Sequence, residues 1–167
     1  EDGTVFNNAT ISMPYEPASV IKTFVMAAGI DKGVIRPETT YTNTDLVQVY
    51  DAPIRNAVSG LTGVRTMQFA LNNSLNTGSV RVAQLLGDGT NITKTARETM
   101  YEYYHNRFGM GKMSGIELAN ESSGTVVSPE EAEGNAVRYS NMTFGQGLNV
   151  TMVQVAAGFW SVMTGGT

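Results

Sequence analysis

The stretch of sequence that most constrains the fold runs from Pro17 to Lys32. Its apolar residues recur at helical spacing, Pro17 lies at its start and Gly33 lies just past its end. Proline suits the first helical position because its missing N–H would have no partner there, and glycine often follows the last turn. The stretch therefore predicts a helix that is mostly buried against other elements.

Several other segments predict helices that could pack around it. Two short helices are predicted at Thr66 to Asn72 and Val80 to Leu86, and a third can begin after a cap at Asn91 or Thr93. Residues 128–140 can hold one or two helical turns. An apolar run that begins near Thr151 predicts a last helix, which is expected to be buried. Residues 34–63 predict short strands and turns, and residues 1–16 predict a loop or a weak strand. The chain is therefore predicted to be largely helical.

Composition excludes several classes of site. The 167 residues are 41% hydrophobic and suffice for one domain or part of a larger one, and the net charge of −4 provides no basic surface for nucleic acid. There is no cysteine, which excludes disulfides and thiolate chemistry. The single histidine, His105, cannot form a two-histidine metal site and is interpreted as a surface or half-buried helix position. We therefore predict neither a metal nor a cofactor.

The sequence contains neither a membrane span nor a targeting segment. No run reaches the ~18 consecutive apolar residues that a span requires, and no charged region precedes an apolar one at the start. The chain as given is therefore predicted to be soluble. Because it begins at Glu1 and ends in "MTGGT", we expect it to be part of a longer protein.

Ser19 and Lys22 form a candidate reactive pair. They lie three residues apart at the start of the predicted helix, so both side chains share one face. A lysine desolvated by apolar neighbours loses pKa and can then act as a base toward a serine hydroxyl. The alternative is a helix-starting serine with a solvated lysine, because chance alone gives about 0.3 Ser-x-x-Lys matches in such a chain.

Ser74 and Asn76 form a second candidate pair, Ser-x-Asn, in the polar stretch "NNSLNTG". Chance gives about 0.9 such matches, and both residue types are common in turns and caps, so the pair alone is weak. Its position between two apolar helices is more informative, because that position could present a hydroxyl and an amide to a cleft.

The combination of motifs resembles the transpeptidase domain of penicillin-binding proteins, especially those of class B. Ser-x-x-Lys followed by a Ser-x-Asn type motif belongs to the signature of that family and of class A β-lactamases. Four phrases occur in the family's order: "YEPASVIKTFVMAAGIDKGVI", "LTGVRTMQFALNNSLNTG", "FGMGKMSGIELANESSG" and "TFGQGLNVTMVQVAAGFWSVMTGG". The resemblance covers the chain from about Met13 to its end.

The resemblance implies the α+β fold of serine β-lactamases and transpeptidases, with residues 1–167 as a partial transpeptidase domain. It implies that Ser19 attacks a D-alanyl-D-alanine stem peptide, Lys22 acts as base and Ser74 relays a proton. Asn76 would hold the substrate amide and the Lys22 side chain. β-lactams would acylate Ser19 in the same way, and an amine from a neighbouring peptidoglycan strand would resolve the natural acyl-enzyme.

The sequence departs from the family pattern in two places. Ala18 stands where the family often has glycine, which we interpret as a minor change. No Lys-Thr-Gly or Lys-Ser-Gly occurs anywhere in the chain, although the family places that motif on a strand beside the nucleophile. We therefore expect mainly the helical subdomain, with much of the antiparallel sheet absent, and poor activity for these residues alone.

Two other functions stay open. Glu131 and Asn135 match the Glu-x-x-x-Asn pattern from which class A β-lactamases draw their deacylating glutamate, although chance gives about 0.8 such matches. A non-catalytic penicillin sensor or scaffold would keep the same first two motifs. Under the main interpretation, the parent protein is anchored on the extracytoplasmic face of a bacterial membrane. Its partners are stem peptides, β-lactams and proteins of cell division or elongation.

Overall fold

The computed structural model describes residues 7–166 and has an α+β fold in which helices outnumber strands. Its helices are α1 (Ala9–Ser12), α2 (Lys22–Asp31), α3 (Met67–Asn72), α4 (Asn76–Leu85), α5 (Lys94–Tyr101), α6 (Ala136–Met142) and α7 (Met152–Thr164). Its strands are β1 (Thr40–Asn43), β2 (Leu46–Val49), β3 (Ala52–Arg55) and β4 (Gly63–Thr66). A 3-10 turn, Ala18–Ile21, leads into α2, and a π-helical turn, Glu102–Arg107, continues α5.

The strands form two antiparallel pairs between α2 and α3. β1 pairs with β4, so that Tyr41 lies opposite Arg65, and β2 pairs with β3 in a tight hairpin. These short strands confirm the prediction for residues 34–63. β4 runs directly into α3, whose first turn is capped by the Thr66 side chain. The strand pairs therefore lie beside the polar stretch that follows α3.

Helix α2 passes through the centre of the described residues and confirms the first sequence prediction. Phe24, Val25 and Ala28 are fully buried. Gly29 allows α2 to approach α4 closely, since a Cβ at this position would lie 2.7 Å from Val82 Cγ1. This close packing brings the N-terminal end of α2 near the loop that precedes α4.

Helix α4 begins earlier than the sequence predicted. It starts at Asn76 rather than Val80, because Thr77, Gly78 and Ser79 are buried in its first turn although they are polar or small. Gly78 packs against α3, where a Cβ would lie 2.5 Å from Ala70 Cβ. Apolar periodicity does not detect a helix start that is buried through small and hydroxyl residues.

Two further sequence predictions were wrong in part. Residues 9–12 form the short helix α1, capped by Asn8, where a loop or weak strand was predicted, and the part of that prediction for residues 1–6 lies outside the described residues.

Helix α7 exists as predicted and is capped by Thr151, but it is buried only along the line of Gln154 and Gly158. Trp160, on the opposite side of α7, is 64% exposed. Nothing in residues 7–166 covers that side.

Within residues 7–166, no helix combines the length and the hydropathy needed to cross a membrane.

Candidate active site

Lys22 occupies the first position of α2 and is almost completely buried, with 2% of its surface exposed. Its ammonium nitrogen Nζ lies 3.1 Å from Ser19 Oγ. The same nitrogen lies 2.8 Å from Ser74 Oγ and 2.6 Å from the Ser74 carbonyl oxygen. Ser19 and Ser74 are both exposed. A buried nitrogen therefore links two hydroxyls that face solvent.

The three acceptors around Lys22 limit what its nitrogen can do. A charged ammonium has three hydrogens, and these three acceptors use all of them. A neutral amine keeps two hydrogens and one lone pair. Because the Ser74 carbonyl can only accept, the lone pair must then face one of the two hydroxyls. The geometry therefore allows neutral Lys22 to take a proton from Ser19 or Ser74.

Burial also changes the charge of this lysine. Loss of hydration lowers the pKa of Lys22 from 10.5 to about 8. At pH 7 roughly a tenth of the molecules would then carry the neutral amine, compared with less than about a thousandth for an ordinary lysine. A base that is partly neutral near physiological pH is suited to activate a serine hydroxyl.

Ser74 reaches Lys22 through an unusual backbone conformation between α3 and α4. Its φ angle is 53°, in the left-handed region that non-glycine residues seldom adopt. The flanking backbone is fixed by two hydrogen bonds, from Ser74 N to Leu71 O at 3.1 Å and from Leu75 N to Ala70 O at 2.8 Å. The turn thus directs both Ser74 oxygens toward the buried ammonium.

Asn76 lies in the same loop but contacts a different group. Its amide nitrogen Nδ2 donates to Arg55 O at 2.8 Å, at the end of β3. The contact between Asn76 and the Lys22 side chain that the resemblance implied does not form, because the three acceptors of Lys22 Nζ are Ser19 Oγ and the two oxygens of Ser74. The structure therefore brings three of the predicted residues into one hydrogen-bonded group, Ser19, Lys22 and Ser74. It anchors Asn76 beside that group through the strand pair.

A partly buried polar network that the sequence did not predict joins the start of α4 to the strand pairs. Thr77 Oγ1 donates to Asn43 Oδ1 at 2.9 Å, and Thr77 N donates to Asn56 Oδ1 at 3.1 Å. Asn43 and Asn56 both donate to Asp45 Oδ1 at 3.0 Å. Hydrogen bonds from Asn56 and from the Gly60 N–H hold the pKa of Asp45 below its usual value. The only sequence signal was the presence of two asparagines among short strands.

The residue before Ser19 also has a left-handed backbone. Ala18 has φ 52°, and its N–H donates to Gly145 O at 3.1 Å. A Cβ at Gly145 would overlap the Ala18 carbonyl oxygen, so only glycine fits there. From the sequence alone, alanine at position 18 was interpreted as a minor change. The positive φ makes alanine less favourable than glycine at this position, because a Cβ is disfavoured in this region by about 1 kcal/mol or more.

We therefore expect Ala18→Gly to increase the free energy of unfolding by up to about 1 kcal/mol, because it removes this steric cost. Urea denaturation followed by circular dichroism measures the change. Ala157→Gly is the matched control, since Ala157 is exposed in the interior of α7 and glycine there should be destabilising by about 1 kcal/mol. Equal destabilisation by both substitutions would contradict the expected strain at Ala18.

The other candidate residues have local roles in the described structure. Glu131 Oε1 accepts from Ser128 N at 3.1 Å, and Asn135 Oδ1 caps α6 by accepting from Arg138 N at 2.9 Å. Neither side chain bonds to Ser19, Lys22 or Ser74. His105 is half-buried on the π-helical turn, which agrees with the predicted surface or half-buried helix position. Its ring stacks on Tyr101, with ring centroids 4.7 Å apart.

Comparison with known proteins identifies the family to which this arrangement belongs. The family model described as the penicillin binding protein transpeptidase domain matches residues 1–167. The chain belongs to the penicillin-binding protein transpeptidase family. It is 29% identical to penicillin-binding protein PbpB of Mycolicibacterium smegmatis, a match that covers 95% of this chain and 23% of the relative. It is also 29% identical to stage V sporulation protein D of Bacillus subtilis, over 99% of this chain and 24% of the relative.

Solved structures agree with this transpeptidase assignment. Penicillin-binding protein 3 of Mycobacterium tuberculosis in complex with aztreonam superimposes with a TM-score of 0.80 at 26% identity, covering 93% of this chain and 32% of that one. A peptidoglycan glycosyltransferase from Burkholderia ambifaria superimposes with a TM-score of 0.82 at 19% identity. The match covers 95% of this chain and 46% of that one, and it shows that the two share a fold. This chain spans about a quarter of the length of the curated relatives it matches.

Proposed function

We propose that residues 1–167 are part of the transpeptidase domain of a D,D-transpeptidase that cross-links peptidoglycan through a serine acyl-enzyme. The observation that carries this proposal is the position of Lys22 Nζ, 3.1 Å from Ser19 Oγ and 2.8 Å from Ser74 Oγ. Relatives named as peptidoglycan D,D-transpeptidases, such as FtsI of Escherichia coli, support the reaction class.

In the proposed acylation, Ser19 Oγ attacks the carbonyl carbon between the two D-alanines of a stem peptide. The hydroxyl proton passes to the neutral amine of Lys22, and the tetrahedral intermediate then loses the terminal D-alanine. Its departing nitrogen takes a proton from Ser74 Oγ, which is replenished from Lys22. The products are an ester on Ser19 and free D-alanine.

In the proposed second step, an amine of a neighbouring stem peptide attacks the Ser19 ester and releases the serine. The same Ser74 and Lys22 groups would carry the protons in reverse. Asn76 would hold the substrate amide, because its Nδ2 is bound to Arg55 O while its Oδ1 accepts no hydrogen bond within residues 7–166 and could accept one from a substrate N–H. Splitting the acyl transfer into two steps lowers each barrier.

The proposal extends to inhibitors, location and partners. β-lactams would acylate Ser19 as mimics of the dipeptide, and the complex of the Mycobacterium tuberculosis relative with aztreonam supports this expectation. The parent protein would be anchored on the extracytoplasmic face of a bacterial membrane, where peptidoglycan lies, and the relative named as a peptidoglycan D,D-transpeptidase supports the choice of substrate. Division or elongation proteins would be its partners.

A fluorescent penicillin with intact-mass readout tests the function. We expect the complete gene product that contains residues 1–167 to gain one penicilloyl adduct, and Ser19→Ala to gain none. Absence of labelling in the wild type would contradict the proposal and favour a non-catalytic role. Rapid turnover of nitrocefin in place of a stable adduct would favour a β-lactamase.

Residues 1–167 alone give a second result. They contain no Lys-Thr-Gly, the motif whose strand in this family supplies an oxyanion amide. Loss of one such donor costs on the order of 10² to 10³ in rate. We therefore expect labelling of the isolated chain to be at least that much slower than labelling of the complete protein.

A further inference from the structure

The turn that carries Ser19 lacks a cap of its own. The 3-10 turn Ala18–Ile21 begins after Pro17, whose side chain makes no capping hydrogen bond. Ala18 is in the left-handed region with φ 52°. A short turn with an unfavourable backbone at its first residue needs external support to keep Ser19 Oγ within reach of Lys22 Nζ.

That support comes from the segment Gly145–Gly147, more than a hundred residues further along the chain. Gly145 O accepts from Ala18 N at 3.1 Å. Gly147 N donates to Glu16 Oε1 at 2.8 Å, so the carboxylate three residues before Ser19 is tied to the same segment. An antiparallel bridge between Tyr15 and Val150 continues the contact on both chains. Three of the four residues that precede Ser19 are therefore hydrogen-bonded to residues 145–150.

Arg138 fixes the Gly147 residue from its other side. Its guanidinium Nε, reaching from α6, donates to Gly147 O at 2.6 Å. The N–H and the carbonyl of Gly147 are therefore both bound by charged side chains, and such charge-assisted bonds are roughly twice as strong as neutral ones. Among residues 7–166 neither Glu16 nor Arg138 forms an ion pair. Their charges are directed at the glycine rather than at each other.

We propose that Glu16 and Arg138 are positioning residues for the Ser19 nucleophile, acting together through Gly147. Within residues 7–166 neither side chain forms a hydrogen bond with Ser19 or Lys22. Each holds the Gly145–Gly147 segment against which the strained Ala18 turn rests. This inference rests on the proposed function, because it assigns the pair a role in the acylation of Ser19.

The test measures two constants for a penicillin with the complete gene product, the dissociation constant of the initial complex and the first-order acylation rate. Glu16→Ala and Arg138→Met should each lower the acylation rate by about ten- to a hundredfold, as expected for a misplaced nucleophile. The dissociation constant should change by less than about threefold, because neither residue is placed in the substrate site. Glu16→Gln keeps the acceptor oxygen and should restore most of the rate.

Matched controls separate positioning from general damage to the fold. Glu117→Ala and Arg36→Met remove exposed side chains that form no hydrogen bond or ion pair within residues 7–166, and both should acylate like the wild type. The double variant of Glu16 and Arg138 should lose less rate than the product of the two single losses, since both act through one glycine. Circular dichroism confirms that each variant is folded.

The outcomes distinguish this inference from the proposed function. If the wild type is not acylated at Ser19, the proposed function fails and the inference fails with it. If the wild type is acylated but Glu16→Ala and Arg138→Met react at the same rate, only the inference is overturned. It is also overturned if Glu16→Gln reacts as slowly as Glu16→Ala, or if the losses appear in the dissociation constant alone.

Discussion

Replacing Lys22 with methionine should lower the acylation rate of Ser19 in the complete gene product by about 10²- to 10⁴-fold, the usual contribution of a general base. Methionine fills a similar volume but has no nitrogen to accept the serine proton. The substitution removes all three hydrogen bonds that join Lys22 to Ser19 and Ser74. Stopped-flow acylation with a fluorescent penicillin measures the rate.

Lys32→Met is the matched control for this loss. Lys32 follows the last residue of α2 and is exposed, so its substitution should leave the rate within about twofold of the wild type. A Lys22→Met variant that acylates at the wild-type rate would exclude Lys22 as the base.

The contact between Lys22 and Ser19 is the part of the site that the sequence predicted best. Two residues three apart at a helix start must lie on one face, so local geometry alone brings them together. The contact between Lys22 and Ser74 spans 52 residues and depends on how α2 packs against α4. That packing requires Gly29, whose place in the apolar pattern gives no sign of its role. The family resemblance placed Ser74 in the site but assigned the contact with the Lys22 side chain to Asn76, whereas the structure gives that contact to Ser74.

The supporting residues that could not be predicted from the sequence are bound over long separations. Thr77 is hydrogen-bonded to Asn43, 34 residues away in the sequence, and Gly147 is hydrogen-bonded to Glu16, 131 residues away. Such bonds follow from tertiary packing and leave no local pattern of spacing. The exposed side of α7 was mispredicted for a related reason: an apolar helix is buried only where another element covers it. Trp160 is exposed because no described residue packs on that side.

The rate of Ser19 acylation should also rise with pH, by roughly fiftyfold between pH 6 and pH 8. Burial lowers the pKa of Lys22 to about 8, so about 1% of the molecules carry the neutral base at pH 6 and about half carry it at pH 8. The rate should level off above pH 9. Stopped-flow measurements across this range give the apparent pKa, and the Lys22→Met variant should show a flat profile. A wild-type rate that is constant from pH 6 to pH 8 would contradict the assignment of Lys22 as base.

The same lowered pKa has a consequence for stability with a definite sign. Between pH 8 and 10.5, the unfolded chain holds the Lys22 proton while the folded chain has released it. Stability rises with pH wherever the unfolded state binds more protons, so this lysine is destabilising below pH 8 and progressively less so above it. The free energy of unfolding of the wild type relative to Lys22→Met should therefore rise from pH 7.5 to 9.5. Such a cost is the one expected if the neutral form of Lys22 acts as the base, as proposed above.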